Sequence, residues 1–194
     1  DIPELIAGLG GMEETIDALE WFVKETKKAG FPGLDLQITM WGQNVNHSGV
    51  DGSRTSEPDP SFVKKLGFTS ATHYQFVHFT NVNRDYLEIM EEVKKVWTEI
   101  NATFDLVYYP HISVGWDNSP RTARSAVVKN NTPENFAKAL RMAKEYVDNH
   151  PGQTPLITIN SWNEWTETSY LQPCNVYGYG YLEAVKEVFT STGQ

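Results

Sequence analysis

The feature that most constrains this chain is an alternation between amphipathic helix patterns and short apolar runs. Helical spacing of apolar residues predicts helices at 11–29, from Asn83 or Asp85 to about Ile100, at 133–149 and at about 179–189. The runs predicted as strands lie at 34–41, 71–79, 104–116 and 155–162, and Pro110 interrupts the third. Runs that are apolar on both faces are typical of parallel strands covered by helices. The sequence therefore predicts an α/β fold built from right-handed βα units.

The predicted units fit either an open parallel sheet or part of a barrel. No glycine-rich phosphate fingerprint follows any of the runs, which disfavours a dinucleotide-binding sheet. A complete TIM-type (β/α)8 barrel usually needs about 250 residues. The chain has 194 residues, so in a barrel 1–194 would form one catalytic-type domain comprising roughly the C-terminal half. An open half-barrel exposes strand edges and an apolar inner face, so we expect it to need the absent half or a second copy of the chain.

Composition excludes several classes of function. The net charge of −9 and the absence of a basic run disfavour binding to nucleic acid. No apolar run reaches the roughly 18 residues of a membrane-spanning helix. The single cysteine, Cys174, cannot form an intrachain disulfide, and the histidines lack the spacing of metal ligands. We expect no nucleic-acid partner, no membrane span, no metal and no cofactor, and we favour a periplasmic or secreted location over a cytoplasmic one.

Polar and aromatic residues are concentrated just after each predicted strand. They are Trp41, His78, Trp116, Asp117 and Asn118, and the segment 162–167. In parallel βα folds the carboxyl ends of the strands share one face, and active sites lie on that face. We therefore expect these residues to form one site although they are distant in sequence.

The densest cluster is the segment 162–167, which contains Glu164 and Glu167 together with Trp162 and Trp165. Cleavage of a glycosidic bond usually takes two carboxyl groups, one of which donates a proton to the leaving oxygen. Apolar neighbours such as Trp162 and Trp165 can raise the pKa of one carboxyl, so that it stays protonated near neutral pH. A spacing of three residues brings the two side chains together only if the strand has ended before Glu164. The alternative is a pair of solvated glutamates.

Other candidate sugar contacts each have an ordinary structural alternative. Asp117, Asn118 and Arg121 would bind sugar hydroxyls, or would form an Asx-type turn with a local Asp–Arg pair. Trp41 and Trp116 would stack on sugar rings, or would pack in the core or at its rim.

The remaining predicted contacts flank the glutamates or follow the second strand. Trp162, Asn163 and Trp165 would bind the face and the hydroxyls of a sugar. His78 would be a polar contact in the cleft, or a hydrogen-bonded histidine at the end of its strand.

Two segments of the chain resemble a known family. The sequence INSWNEWTETSYLQP, followed by YGYGYLEAVKEVF, resembles the C-terminal signature of the glycoside hydrolase family 99-like domains, which include WbsX-type proteins of polysaccharide gene clusters. The sequence GWDNSPR at 115–121 resembles a second signature of that group. The resemblance covers most of the chain in order. It implies a (β/α)8 barrel and, for the true hydrolases, retaining endo-cleavage of α-mannosidic linkages without a metal.

The resemblance also implies roles for the two glutamates. Glu164 would be the base that deprotonates the 2-hydroxyl of the substrate, whose oxygen then attacks the anomeric carbon to give an anhydro-sugar. Glu167 would be the acid for the leaving group and later the base for water. The chain departs from the family at Thr168, where glycine is frequent, and at Gln172, where a glutamate precedes the proline. These departures bear on the turn that presents Glu167 and on a possible substrate contact.

Three functions therefore remain open on the sequence. The first is a glycoside hydrolase that acts on α-linked, mannose-type glycans or bacterial polysaccharide. The second is a WbsX-like glycosyltransferase of surface-polysaccharide assembly, although the sequence has neither a phosphate cradle nor an Asp-x-Asp motif. The third is a carbohydrate-binding barrel without catalysis.

Overall fold

The computed structural model describes residues 2–40, 60–123 and 126–190, and Trp41 lies outside these ranges. The helices in the described part are α1 (Ile2–Leu9), α2 (Met12–Lys28), α3 (Pro60–Lys65), α4 (Tyr86–Phe104), α5 (Pro133–Asp148) and α6 (Gly180–Thr190). The strands are β1 (Gln37–Met40), β2 (Ser70–His73), β3 (Val107–Tyr108), β4 (His111–Ser113), β5 (Thr158–Asn160), β6 (Asn163–Glu164) and β7 (Ser169–Tyr170). Two 3-10 turns lie at Phe76–His78 and Trp165–Glu167.

The strands form a mixed α/β arrangement with parallel sheets. Strands β1, β2 and β3 pair in parallel in that order, β4 pairs in parallel with β5, and β6 and β7 form an antiparallel hairpin. The described residues contain no closed barrel. The parallel α/β class predicted from the sequence is therefore confirmed, and the half-barrel stays a prediction.

The proline predicted to interrupt the third strand separates β3 from β4. Pro110 has no N–H to donate to a ladder, and the chain changes its pairing partner at this point. Before it, the N–H of Tyr109 donates to the carbonyl of Ala71 at 2.9 Å, and after it the carbonyl of Pro110 accepts from Thr158 at 3.1 Å. One continuous stretch of chain thus connects β2 on one side to β5 on the other.

Many of the largest buried side chains belong to helix α4, helix α5 and the strands beneath them. Tyr86 and Trp97 of α4, Phe136 of α5, and Tyr108 and Ile112 of the strands are all fully buried. Burying a large apolar side chain contributes about 1.5–3 kcal/mol. The two helices therefore fix the strands whose ends form the site.

The starts of these two helices follow the predicted signals. Thr132 caps α5 by accepting from the N–H of Asn135 at 3.4 Å, and Pro133 occupies the first turn. Asp85 caps α4 by accepting from the N–H of Leu87 at 2.9 Å. The prediction of a helix start at Thr132 is confirmed, and Asp85 rather than Asn83 begins α4.

All four strand predictions were too long, and the run 34–41 begins too early because β1 starts only at Gln37. The run 71–79 was predicted as a strand, but β2 ends at His73 and the chain enters a 3-10 turn. The side-chain oxygen of Gln75 accepts from the N–H of Phe76 at 2.8 Å, which takes this N–H out of any ladder. The run 104–116 begins too early because Phe104 still belongs to α4, and 155–162 shortens to Thr158–Asn160. Helices α1 and α3 were not predicted.

A polar layer crosses the buried strands. The hydroxyls of Thr72 and Thr158 are 2.6 Å apart, and His111 contacts Thr158 and Ser113 at 3.0 and 3.1 Å. Burial, together with the nearby His73, holds the pKa of His111 well below its usual range. Because these groups bond one another across β2, β4 and β5, they fix the register of neighbouring strands.

Helix α2 contrasts with α4 and α5 because it is largely exposed. Of its described side chains only Thr15 is buried, while Trp21 and Phe22 are 61% and 53% exposed. Among the described residues no helix is long and apolar enough to cross a lipid bilayer.

Candidate active site

The segments that follow β2, β4 and β5 meet at one end of the strands, and Gln75 joins them. This side chain is fully buried directly after β2. Its amide nitrogen donates to Asn160 Oδ1 at 3.0 Å, to the carbonyl of Gly115 at 3.3 Å and to Ser169 Oγ at 3.4 Å. These partners lie after β4, at the end of β5 and in β7. One side chain therefore holds together the loops that carry the predicted site.

Gly115 allows the segment after β4 to approach the hairpin closely. A Cβ at this position would lie 2.7 Å from the carbonyl oxygen of Thr168 and would collide with the side-chain amide of Asn131. Real Cβ atoms do not make such short contacts, so only glycine fits. This contact brings Asp117 and Arg121 beside the segment that carries the glutamates.

The glutamates lie on a hairpin that starts directly after β5. The peptide between Asn160 and Ser161 is cis, and the hydroxyl of Ser161 accepts from the N–H of Glu164 at 3.2 Å. Glu164 ends β6, and Glu167 ends the following 3-10 turn. Because β5 ends at Asn160, the condition for bringing the two side chains together is met.

One arginine bridges the two carboxylates. Arg121 donates from Nη1 to Glu167 Oε1 at 2.8 Å and from Nη2 to Glu164 Oε1 at 2.6 Å. The hydroxyl of Thr166 is bonded to Arg121 Nη2 and to Glu164 Oε1, the latter at 2.9 Å. The planar fork of a guanidinium suits this arrangement, since its donors point to separate acceptors. The carboxyl groups of Glu164 and Glu167 therefore face one common space.

The two carboxyls have different surroundings. Glu167 is 8% exposed and its Oε2 is buried without a hydrogen-bond partner among the described residues, while the side chain of Glu164 is 38% exposed. Burial raises the pKa of Glu167, the charge of Arg121 opposes that effect, and the charge of Glu164 adds to it. An acid with a raised pKa beside a more exposed carboxylate is the pairing that general acid–base chemistry uses.

An aromatic rim borders the site on the side of β2 and β4. The rings of His78 and Trp116 are 6.5 Å apart edge to face, and those of His78 and Tyr74 are 5.8 Å apart. Burial and the charges of Glu167 and Glu164 raise the pKa of Tyr74, while the charge of Arg121 lowers it. Tyr74 therefore lies near the carboxylates. His78 was predicted to close a strand, but it lies half-buried in the 3-10 turn.

Two exposed indoles lie on the hairpin that carries the glutamates. Trp162 and Trp165 are 53% and 45% exposed. The ring of Trp165 stacks on Tyr170 with centroids 4.0 Å apart, and its N–H donates to Gln172 Oε1 at 2.7 Å. The departure at Gln172 thus keeps an acceptor for Trp165. A fixed, exposed indole is the surface that the C–H face of a sugar would contact.

The polar residues after β4 form the predicted Asx-type turn. Asp117 Oδ1 accepts from the N–H of Ser119 at 2.9 Å, and the carbonyl of Asn118 accepts from the N–H groups of Arg121 and Thr122. The side chain of Arg121 bonds to the hairpin glutamates rather than to Asp117. Asn118 and Asp117 are half-buried in this turn. Their main effect in this structure is to position Arg121.

Asn163 is a predicted contact whose side chain has no hydrogen bond to the cluster among the described residues. Asn163 is exposed and pairs with Tyr170 through the backbone of the hairpin. Trp41 lies outside the described residues.

Three residues of the site were missed by the sequence reasoning. Gln75 and Tyr74 lie within a run interpreted as one apolar strand, and Thr166 was not considered as a partner of the glutamates. The signal for Gln75 was a polar amide in the middle of an otherwise apolar run, since a buried amide must find partners. No local signal connects Tyr74 or Thr166 to Arg121.

The chain also matches known proteins over more than these residues. A family model described as Glycosyltransferase WbsX matches residues 9–185. The chain belongs to the WbsX family. Proteins described as uncharacterized protein WxcX, from two strains of Xanthomonas campestris pv. campestris, are 32% identical over 88 residues. The match covers 44% of this chain and 13% of each WxcX protein. No solved structure matches the chain.

Membership of the WbsX family confirms the resemblance to WbsX-type proteins that the two sequence signatures indicated. The match includes both signatures, the turn after β4 and the hairpin after β5. The WbsX family points to a carbohydrate-active enzyme connected with polysaccharides. Arg121 links the two signatures directly, since it belongs to the first and bonds to both glutamates of the second.

Proposed function

We propose that this chain carries the acid–base pair of a glycosidase that cleaves α-linked, mannose-type glycans or a bacterial polysaccharide. The observation that supports it most is the convergence of Glu164 and Glu167 on one guanidinium, with one carboxyl buried and the other half-exposed. Two carboxyl groups in unequal surroundings are the minimum that glycoside cleavage by acid–base catalysis requires.

In the proposed reaction Glu164 removes the proton from the substrate's 2-hydroxyl, and the oxygen attacks the anomeric carbon. The bond from that carbon to the leaving oxygen breaks as Glu167 gives this oxygen its proton. The product is an anhydro-sugar. Water then opens it, giving its proton to the Glu167 carboxylate, while the sugar oxygen regains a proton from Glu164. These roles follow the glycoside hydrolase family 99-like resemblance and agree with the burial of Glu167.

The aromatic side chains around the pair support a sugar as the substrate. Trp162 and Trp165 present exposed indoles on the hairpin, and the rings of Trp116 and His78 contact each other in the segments after β4 and β2. Arg121 is about half exposed, so a sugar hydroxyl can replace one of its bonds to a carboxylate. We propose that the chain binds the glycan across this space as part of a (β/α) half-barrel.

Glycosyl transfer is the second candidate, favoured by the description of the WbsX family itself. A transferase would bind an activated sugar donor and an acceptor at the same face. Glu164 or Glu167 would then act as the base for the acceptor hydroxyl. A hydrolase consumes a glycan and water, whereas a transferase consumes an activated sugar donor and an acceptor. One assay of the products therefore distinguishes the two reactions.

The protein is incubated with a panel of α-mannans and bacterial polysaccharides, and the size and anomeric configuration of the products are followed by NMR. We expect cleavage with retention of configuration. Glu164→Gln or Glu167→Gln should each reduce turnover by about 100-fold or more. The matched control is Glu183→Gln, since this exposed glutamate lies in the first turn of α6.

Other outcomes of that assay would overturn the hydrolase proposal. Release of a nucleoside phosphate from a sugar nucleotide, with no glycan cut, would indicate a transferase. Binding of glycan that persists in both glutamine variants, with no turnover by the unaltered protein, would indicate a carbohydrate-binding module.

A further inference from the structure

We propose that Arg121 and Thr166 are positioning residues that make the two carboxyl groups unequal, because both donate to Glu164 while Oε2 of Glu167 receives no donor from the described residues and keeps the proton. This inference rests on the proposed acid–base function of the pair. It assigns to Arg121 and Thr166 an effect exerted through the glutamates rather than on the substrate.

The hydroxyl of Thr166 has its direction fixed by its neighbours. Arg121 Nη2 can only donate, so the hydroxyl oxygen accepts from it. The Thr166 proton is then available for Glu164 Oε1, which lies 2.9 Å away. The same Glu164 oxygen accepts from Arg121 at 2.6 Å. Two donors, one of them charged, thus converge on one oxygen of Glu164.

Glu167 accepts fewer hydrogen bonds than Glu164. Its Oε1 accepts one bond, from Arg121 Nη1 at 2.8 Å, and its buried Oε2 has no partner among the described residues. Leaving a negative charge on a buried oxygen without a donor is costly, and a proton on that oxygen removes the charge. The bonding therefore favours a proton on Glu167 Oε2, the buried oxygen that no donor reaches among the described residues.

Other charged groups near Glu164 and Glu167 do not reverse the difference in hydrogen bonding between the two carboxyls. Within the described part of the chain, Glu167 interacts electrostatically with Glu164, Arg121 and Tyr74. Asp117 turns its carboxylate back to the N–H of Ser119 in its own turn. Burial raises the pKa of Glu167, Arg121 lowers it in part, and Glu164 raises it. Removal of Arg121 should therefore raise this pKa further, and removal of the Glu164 charge should lower it.

The test measures ionisation directly and needs no substrate. The protein is labelled with 13C at the glutamate carboxyl carbon, and the carboxyl resonances are followed by NMR as pH is varied. Glu164→Gln and Glu167→Gln each delete one resonance and so assign the pair. We expect Glu167 to lose its proton at higher pH than Glu164, and Arg121→Met to move the Glu167 midpoint upward.

Two variants of Thr166 separate the effect of its hydrogen bond from the effect of its packing. Thr166→Val removes the donor to Glu164 at nearly constant volume, so the proton should be shared more evenly and the Glu167 midpoint should fall. Thr166→Ser keeps the donor and should restore the midpoint of the unaltered protein. Thr166 is exposed, so neither change should prevent folding.

The proposal is overturned if Glu164 is the last of the pair to lose its proton, or if Thr166→Val leaves the Glu167 midpoint unchanged. A protein that cleaves no glycan yet shows the expected midpoints would refute the proposed function and keep the assignment of the proton. A protein that cleaves glycan through both glutamates but shows equal midpoints would support the proposed function and refute the assignment of the proton.

Discussion

At the scale of single residues, Thr168 directs the chain from the 3-10 turn into β7. Its φ of 53° and ψ of 34° lie in the left-handed region, which is unfavourable for a β-branched side chain. Glycine adopts this conformation without a steric cost. Thr168 keeps one compensating contact, a hydrogen bond from its hydroxyl to the carbonyl of Asp117 at 3.3 Å.

Thr168→Gly should therefore stabilise the protein. We expect the free energy of unfolding to rise by about 1 kcal/mol, because relief of the left-handed strain exceeds the entropy that glycine adds to the unfolded chain. The measurement is urea denaturation followed by circular dichroism. Thr122→Gly is the matched control, since Thr122 lies in a nearby exposed turn without a positive φ, and it should lower stability. Equal effects at both positions would contradict the argument from strain.

At the scale of elements, the site depends on how closely the segment after β4 packs against the β6–β7 hairpin. Gly115 lies at this contact, and its carbonyl accepts from the buried Gln75. The N–H of Asp117 donates to the carbonyl of Glu167 at 2.7 Å, so the backbones also bond each other. The position of Arg121 relative to the glutamates is therefore set by backbone contacts rather than by the side chain alone.

Gly115→Ala should separate these two elements. The added methyl group would meet Thr168 and Asn131, and we expect a loss of about 1–3 kcal/mol in the free energy of unfolding. Gly152→Ala is the control, since a Cβ at Gly152 meets no atom within 4 Å. It should change stability by less than about 0.5 kcal/mol. Denaturation curves of the two variants give their free energies of unfolding. A Gly115→Ala variant as stable as the Gly152→Ala control would contradict the close packing at Gly115.

At the scale of the whole molecule, the described residues leave apolar surface and strand edges open. Strands β1 and β5 each have a single neighbouring strand within the described ranges. Trp21, Phe22 and Phe31 are more than half exposed. Open edges and exposed aromatic side chains favour association with other chains.

The 194-residue chain alone should therefore self-associate as its concentration rises. Sedimentation equilibrium should show an average mass that increases with concentration, and Trp21→Gln with Phe22→Gln should reduce the increase, because these side chains supply exposed apolar area on α2. Phe189→Gln on α6 is the control and should have a smaller effect, since Phe189 is less exposed. A mass that stays monomeric at every concentration would contradict the expectation.

Local patterns in the sequence were sufficient for the order of the long helices and the parallel strands and for part of the site, but not for α1, α3 or the β6–β7 hairpin. The alternation of helices and strands, the cap at Thr132 and the break at Pro110 follow from the properties of residues close in the chain. The segment with Glu164 and Glu167 was also identifiable, since both lie directly after one buried strand. The lengths of the strands could not be predicted in this way. A side chain such as that of Gln75 accepts a hydrogen bond from a backbone N–H that the apolar pattern would assign to a strand pairing.

The amino-acid sequence by itself determined which residues follow the strands and which of them can ionise. Only the tertiary structure decided that Arg121 bonds to Glu164, a residue 43 positions away, rather than to Asp117 beside it. The physical reason is distance. Hydrogen bonds and charges act over a few ångström in space, and the folding of β4 against the hairpin, which Gly115 permits, determines which groups come that close.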